Sequence, residues 1–213
     1  MAFETNIGLT TFSGEMEKRP VPKYLIKETI DGIPFYYKGF RDVINETKTK
    51  VDIMADSGLQ GFIKTFFVIL LSQKLDFSKY HFFVGETGTH IDRSNNLSLD
   101  LSIFDLTILT PDKITTQYID VPPKVVIEVD VNVEVPEVNT NIFDQFLLRK
   151  VKKLHKFGTE KIIWVFSKSK TIIVSTANQK WDVVDWNNEI EIIEGIKFNL
   201  AKYLEEQGIN TDV

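Results

Sequence analysis

The chain has 213 residues, 43% of them hydrophobic and 26% charged, which suits one globular domain of ordinary size, two small ones being the lesser alternative. A net charge of −5 excludes a chain-wide basic nucleic-acid binder, so any contact with nucleic acid must run through a local basic patch or through metal ions. The absence of cysteine excludes disulfides, thiolate nucleophiles and zinc–thiolate sites, and it fits a reducing compartment.

Residues 1–22 are polar and expected to be loosely ordered, and residues 23–213 are expected to form one domain. The N-terminus has no basic segment followed by an apolar core, so no signal peptide is expected. The longest apolar stretch, "GFIKTFFVILLSQKL", is broken by Lys64 and too short to span a bilayer. A soluble, cytoplasmic protein is therefore the expectation.

Along the chain, "KYLIKETIDGIPFYYKGF" reads as a hairpin turning at Asp31-Gly32, a dipeptide that favours a two-residue turn. "SGLQGFIKTFFVILLSQKL" predicts a mostly buried helix opening near Ser57. "KYHFFVGETGTHID" and "NNLSLDLSIFDLTIL" predict two strands, and "TPDKITTQYIDVPP" a surface connection halted by Pro122 and Pro123. Residues 124–130, "KVVIEVD", predict a further strand. "NTNIFDQFLLRKVKKLHKFG" is the clearest helix, ending at Gly158. "NVEVPEVN" between them predicts an edge strand or a mobile loop. "KIIWVFSKSKTIIVSTA" predicts two strands and a tight turn; a last strand pair near Trp181 to Ile193 and a short helix, "NLAKYLEEQG", close the chain. This order predicts an α/β or α+β sheet with helices packed on it.

Three polar residues fall in apolar surroundings. In "KVVIEVD" side chains alternate, so Val125, Ile127 and Val129 share one face and Val126, Glu128 and Asp130 the other. A carboxylate in a central strand costs several kcal/mol, on the order of an unpaired buried charge, unless something compensates it. A solvated strand end explains Glu128 equally well from this segment alone. In "LSLDLSIFD", Leu97, Leu99, Leu101 and Ile103 are expected on one face, with Ser98, Asp100 and Ser102 on the other. By itself this is an ordinary half-exposed strand.

On the predicted helix, Phe143, Leu147, Lys150, Leu154 and Phe157 follow a stripe of 3.6-residue period. Lys150 thus stands where the helix should meet the sheet, either with its stem buried and its ammonium reaching water, or aimed at the carboxylates of the preceding strand. Two carboxylates on neighbouring strands plus a lysine are the parts of a hydrolytic metal site: oxygen ligands for a hard divalent cation, and a cation for developing negative charge. Arg149, Lys152, Lys153 and Lys156 fall on other faces of the helix and could contact phosphates or simply be solvated. His81, His90 and His155 have no ligand spacing, "GETGTH" lacks the lysine of a phosphate-binding loop, and no serine stands in a nucleophile elbow. Trp164 reads as core.

"LDLSIFD", "PPKVVIEVD" and "KVKKLHKFGTEKIIWVF", with "ETIDGIPF" ahead of them, resemble the restriction-endonuclease-like family of Uma type, within the PD-(D/E)XK nuclease superfamily. The resemblance spans about residues 24–205. It implies a restriction-endonuclease-like core, with a mixed central β-sheet flanked by helices and an N-terminal hairpin. It implies a DNA endonuclease using Mg²⁺, or Mn²⁺ as substitute, in which Asp100, Glu128 and the backbone carbonyl of Val129 bind metal and Lys150 orients the attacking water. Asp130 occupies the usual lysine position of the superfamily, the lysine having moved to the helix. Gln60 lies where the family often has a histidine and is an accessory candidate. Leu99 stands in place of the family's proline before Asp100, and a long segment after Glu128 leaves Lys152 and Lys153 as alternatives to Lys150. Many nucleases of this fold act as dimers, so a homodimer is possible. The other reading is an inactive nuclease-fold protein serving as a nucleic-acid-binding or regulatory module. A structural protein with solvated acids is the third.

Overall fold

The computed structural model describes residues 21–135, 141–178 and 180–210. The polar N-terminal segment up to residue 20, and residues 136–140 of the segment predicted as an edge strand or mobile loop, lie outside the described residues. A nine-stranded sheet carries the fold. It opens with the predicted hairpin, β1 (Ile26–Ile30) and β2 (Ile33–Tyr37). Asp31 and Gly32 turn it with φ of 53° and 75°, both in the left-handed region that a tight hairpin turn demands.

Two short helices follow, α1 (Phe40–Ile44) and α2 (Lys50–Met54), and then α3 (Gly58–Lys74). α3 begins at Ser57, whose Oγ accepts from the Gln60 N–H at 3.2 Å while Gln60 Oε1 accepts from the Ser57 N–H at 2.8 Å. That reciprocal cap satisfies two amides that the first turn leaves free. β3 (Tyr80–Asp92) and β4 (Asn95–Asp105) form a long antiparallel pair. β5 (Val125–Val129) is followed by the edge strand β6 (Val133–Glu134), which pairs with β2.

A π-helical turn, Phe143–Leu147, leads into α4 (Leu148–Phe157). The chain then forms β7 (Lys161–Phe166), β8 (Thr171–Thr176), β9 (Trp181–Asp185), β10 (Ile190–Ile193), β11 (Ile196–Phe198) and α5 (Leu200–Glu206). β5 and β7 are parallel and joined through α4, while the other paired strands are antiparallel, so the sheet is mixed.

The sheet separates two apolar layers. On one side Ile63, Phe67 and Leu71 of α3 and Leu200 and Leu204 of α5 pack against Leu101, Ile127, Val129 and Ile163. On the other, Leu147, Val151 and Leu154 pack against Leu97, Leu99, Val126, Ile162 and Trp164. Fully burying one such Leu or Phe contributes about 2 kcal/mol, so the layers hold the helices in place and with them the polar residues they carry. All five residues of β5 are buried, which makes it the central strand its composition predicts.

Three expectations change. Trp181–Asp185 does not pair with Ile190–Ile193: β9 extends the main sheet beside β8, and β10 pairs with β11. Leu97 and Leu99 do not share a layer with Leu101 and Ile103. β4 changes layers at Asp100, opposite a bulge in β3 where Gly85 and Glu86 take φ of 87° and 59°. Such an inserted residue sharpens local twist. Finally, the π turn resets the phase of the stripe: Phe146 is buried and Phe143 is 41% exposed, while Leu147, Lys150 and Leu154 keep their inward places.

Candidate functional site

The site lies in a break in the sheet. One edge of β4 pairs with β3 along its length. Its other edge meets β1 at Asn96 and β5 only from Leu101 onward. Between those points this edge has no strand partner among the described residues. Side chains satisfy the backbone there instead. The Ser98 carbonyl accepts from Lys150 Nζ at 2.8 Å, and the Val129 amide donates to Asp100 Oδ2 at 2.9 Å. Asp100 is thereby fixed against the peptide joining Glu128 and Val129. The chain change of face at Asp100 is what lets this carboxylate reach β5.

Lys150 enters the gap from α4. It is 1% exposed, and its ammonium lies 3.0 Å from Glu28 Oε1 and 3.0 Å from Glu128 Oε1. The ammonium makes two aligned hydrogen bonds, to Glu28 Oε1 and to the Ser98 carbonyl. The contact to Glu128 is an ion pair without hydrogen-bond alignment, and Glu128 Oε1 and Glu28 Oε2 are buried oxygens with no hydrogen bond. Two buried carboxylates thus face one buried ammonium. Burial raises the Glu128 carboxyl to about 8; Lys150 opposes the shift, and the Asp100 and Glu28 charges add to it. Burial likewise raises Glu28 against the pull of Lys150. For Lys150 burial works against the charge, but Glu128 and Glu28 outweigh it and hold it above the ordinary lysine value. The cluster therefore relieves its excess negative charge by keeping a proton on an acid, and the lysine stays cationic.

Asp100 faces a second lysine that the sequence reading passed over as a mere interruption. Lys64 of α3 places Nζ 2.9 Å from Asp100 Oδ1 and 3.0 and 2.8 Å from the two oxygens of Asp56. Asp56 lines a polar cleft of about 370 Å³, with Lys27, Tyr37, Asn132 and Glu134 among its other walls. Glu28 was also missed as a site residue, although the Glu-x-x-Asp-Gly hairpin contains it. Its signal was a glutamate in a short apolar strand, ambiguous until α4 is seen to cross that strand.

Asp130 and Gln60 meet each other rather than the carboxylate pair. Asp130 ends β5 with a φ of 61°, which turns it out of the strand's alternation. Its carboxylate accepts from the Ser167 N–H (2.6 Å), the Ser167 hydroxyl (2.5 Å) and Gln60 Nε2 (2.7 Å), and its carbonyl accepts from Trp164 Nε1 (2.7 Å). The two residues tie the start of α3 to the end of β5. On α4, Lys153 pairs with Asp31 and Arg149 Nη1 lies 3.8 Å from it, while Lys152 and Lys156 are exposed. These four lie along the outer side of the helix, and Lys150 alone of the group turns inward. His155 is bonded to the Thr159 carbonyl and the Ser175 hydroxyl, and Trp164 is core.

Asp100, Glu128 and the Val129 carbonyl are oxygen donors, the set a hard divalent cation takes. Two buried acids sharing one lysine, and the unbonded Glu128 Oε1, suit such an ion. Lys64 now covers Asp100 Oδ1. Among the described residues no group of three or more His, Cys, Asp or Glu side chains forms a metal cage, so water or substrate would have to complete the shell. The donor chemistry fits.

No family model and no curated sequence matches the chain. Among solved structures, the chain is similar to a protein of Anabaena variabilis ATCC 29413 described as a candidate nuclease belonging to DUF820. The likeness has a TM-score of 0.53 at 14% identity and covers 78% of this chain and 80% of that one. At this identity it establishes a shared fold: a large mixed sheet flanked by helices, opened by an N-terminal hairpin. Among the described residues, no helix is long and apolar enough to cross a membrane.

Proposed function

We propose that the protein is a metal-dependent endonuclease of PD-(D/E)XK type, close to the Uma-type family, that hydrolyses phosphodiester bonds in DNA. The observation that supports this best is the convergence of Asp100, Glu128 and Lys150, from three separate segments, on one break in the sheet. Asp100, Glu128 and the Val129 carbonyl would hold Mg²⁺, or Mn²⁺ in its place. When bound, the ion would supply Lewis acidity and a water of lowered pKa.

The residues themselves would do the rest. Val129 N–H orients Asp100. Lys150 neutralises Glu28 and Glu128 and fixes their positions. In this arrangement two of its N–H groups hydrogen-bond to Glu28 and Ser98 while its charge faces Glu128, so Lys150 acts first by positioning the ligands, and one N–H would be left to orient a water. Gln60 and Asp130 hold α3 against β5 and so keep the gap open. Lys152 and Lys156, exposed on α4, are available to phosphates.

A second reading has one observation in its favour. Both oxygens of Asp100 are engaged, by Lys64 and by Val129. A site neutralised by its own lysines suits an inactive nuclease-fold module that binds nucleic acid. Plasmid cleavage in Mg²⁺ or Mn²⁺ separates the readings, comparing the wild type with Glu128→Ala and Lys150→Ala and with an RNA substrate alongside. The endonuclease reading requires nicking by the wild type alone. Equal nicking by all three proteins, or none by any, rejects it.

A further inference from the structure

The two lysines of the site differ in what they can still do. Lys150 is sealed, 1% exposed, hydrogen-bonded to Glu28 and the Ser98 carbonyl and ion-paired with Glu128. Lys64 has a side chain that is 20% exposed, and it bridges an inner carboxylate, Asp100, to an outer one, Asp56, that lines the cleft. Its Asp56 contact uses both carboxylate oxygens, so the ammonium keeps a full partner if it leaves Asp100.

We propose that Lys64 is the phosphate-facing lysine of this site and its resident counter-ion. It holds Oδ1 of Asp100 while no divalent cation is bound, and it turns into the cleft, retained by Asp56, when one occupies the carboxylates. The inference rests on reading Asp100 as a metal ligand. The reason is electrostatic. A carboxylate oxygen 2.9 Å from an ammonium cannot also bind a divalent ion at about 2–2.5 Å without forcing two cations together. One of them must withdraw, and the flexible, partly exposed lysine stem is the part able to do so. Withdrawn, it stays paired with Asp56 at the mouth of the site and can turn an N–H to a phosphate there, which the buried Lys150 cannot reach. The cleft itself contributes Asp42, Asp52, Glu86 and Glu134 besides Asp56 against Lys27, Lys38 and Lys48, of which Lys27 and Lys48 are paired with Glu86 and Asp42, so acids outnumber lysines and a phosphate entering it gains from a further cation.

The test uses the full chain with two binding measurements of opposite expected sign. Mn²⁺ binding is measured by titration calorimetry, and binding of a labelled DNA duplex is measured in Ca²⁺. Lys64→Met is expected to bind Mn²⁺ about tenfold more tightly, because a competitor for Asp100 is gone, and DNA about fivefold less tightly. Lys64→Arg restores DNA binding. An unchanged Mn²⁺ affinity in Lys64→Met overturns the proposal, as does a fall of both affinities together, which a merely structural lysine would produce. Wild-type Lys64 labelling by reductive methylation, read by peptide mass, covers the case of a variant that does not fold. Mn²⁺ must speed its modification, and an unchanged rate overturns the proposal. Absence of Mn²⁺ binding by both wild type and Lys64→Met overturns the metal reading beneath it.

Discussion

The ammonium of Lys150 lies 3.0 Å from Oε1 of Glu28, a residue 122 positions earlier in the chain, in a pair of which each side chain is no more than 2% exposed. This contact joins α4 to β1 at the break in the sheet beside β4, and it makes the hairpin part of the site.

Lys150→Met leaves Glu28 and Glu128 buried without their counter-ion. A loss of about 3–5 kcal/mol is expected from urea unfolding, the range for breaking one side of a buried pair. Adding Glu28→Gln to Lys150→Met should recover part of that loss. A surface-like loss under 1 kcal/mol would show that the cluster is hydrated rather than sealed.

Stability without metal should depend on pH in a set direction. Glu128, at about 8 when folded against an ordinary 4.5, holds its proton longer in the native state, and Glu28 shifts the same way. The native state then binds more protons than the unfolded one between these values, so stability falls as pH rises from about 4.5 through about 8. Lys150 is charged in both states across that window and adds no slope. Unfolding free energies measured from pH 5 to pH 8.5 should decline, and Glu128→Gln should flatten the decline.

Asp130 combines a left-handed backbone with three accepted side-chain hydrogen bonds. Asp130→Ala keeps the strain and removes the bonds, with an expected loss of about 2–3 kcal/mol in thermal or urea unfolding. Asp130→Asn, which tolerates φ of 61° and can still accept from the Ser167 N–H, should retain more than half of that. Equal losses in the two variants would count against the backbone argument.

Two glycines should respond oppositely to alanine. Gly158 ends α4 at φ 128°, and a Cβ there would stand 2.9 Å from Pro122 Cγ, so Gly158→Ala should cost about 1–3 kcal/mol. Gly61 lies inside α3 with open space where a Cβ would go, and Gly61→Ala should add about 0.5–1 kcal/mol. Melting temperatures of the two variants should therefore move apart.

The sequence by itself determined what local periodicity and short-range chemistry control. The Asp31-Gly32 hairpin, the opening of α3 near Ser57, the strand β5 and the inward place of Lys150 were all legible, because turn geometry, capping and the periodicities of strand and helix depend on neighbours within a few residues. Glu128 stood out as an acid in an apolar run, with a solvated strand end left open, whereas the Asp100 segment read as an ordinary half-exposed strand and gained its role only from the family resemblance. Tertiary structure alone decided which partners those charges meet. A bulge in β3 sits where β4 changes layers, so that Asp100 reaches the Val129 amide, and the gap between β1 and β5 on one edge of β4 admits Lys150. Glu28 and Lys64 could not be assigned from their own segments: one is an acid in a short strand, the other a break in an apolar helix. Their meaning comes from residues 122 and 36 positions away. Coulomb attraction acts through space rather than along the chain, so the charges of this site became readable only once the sheet had brought them together.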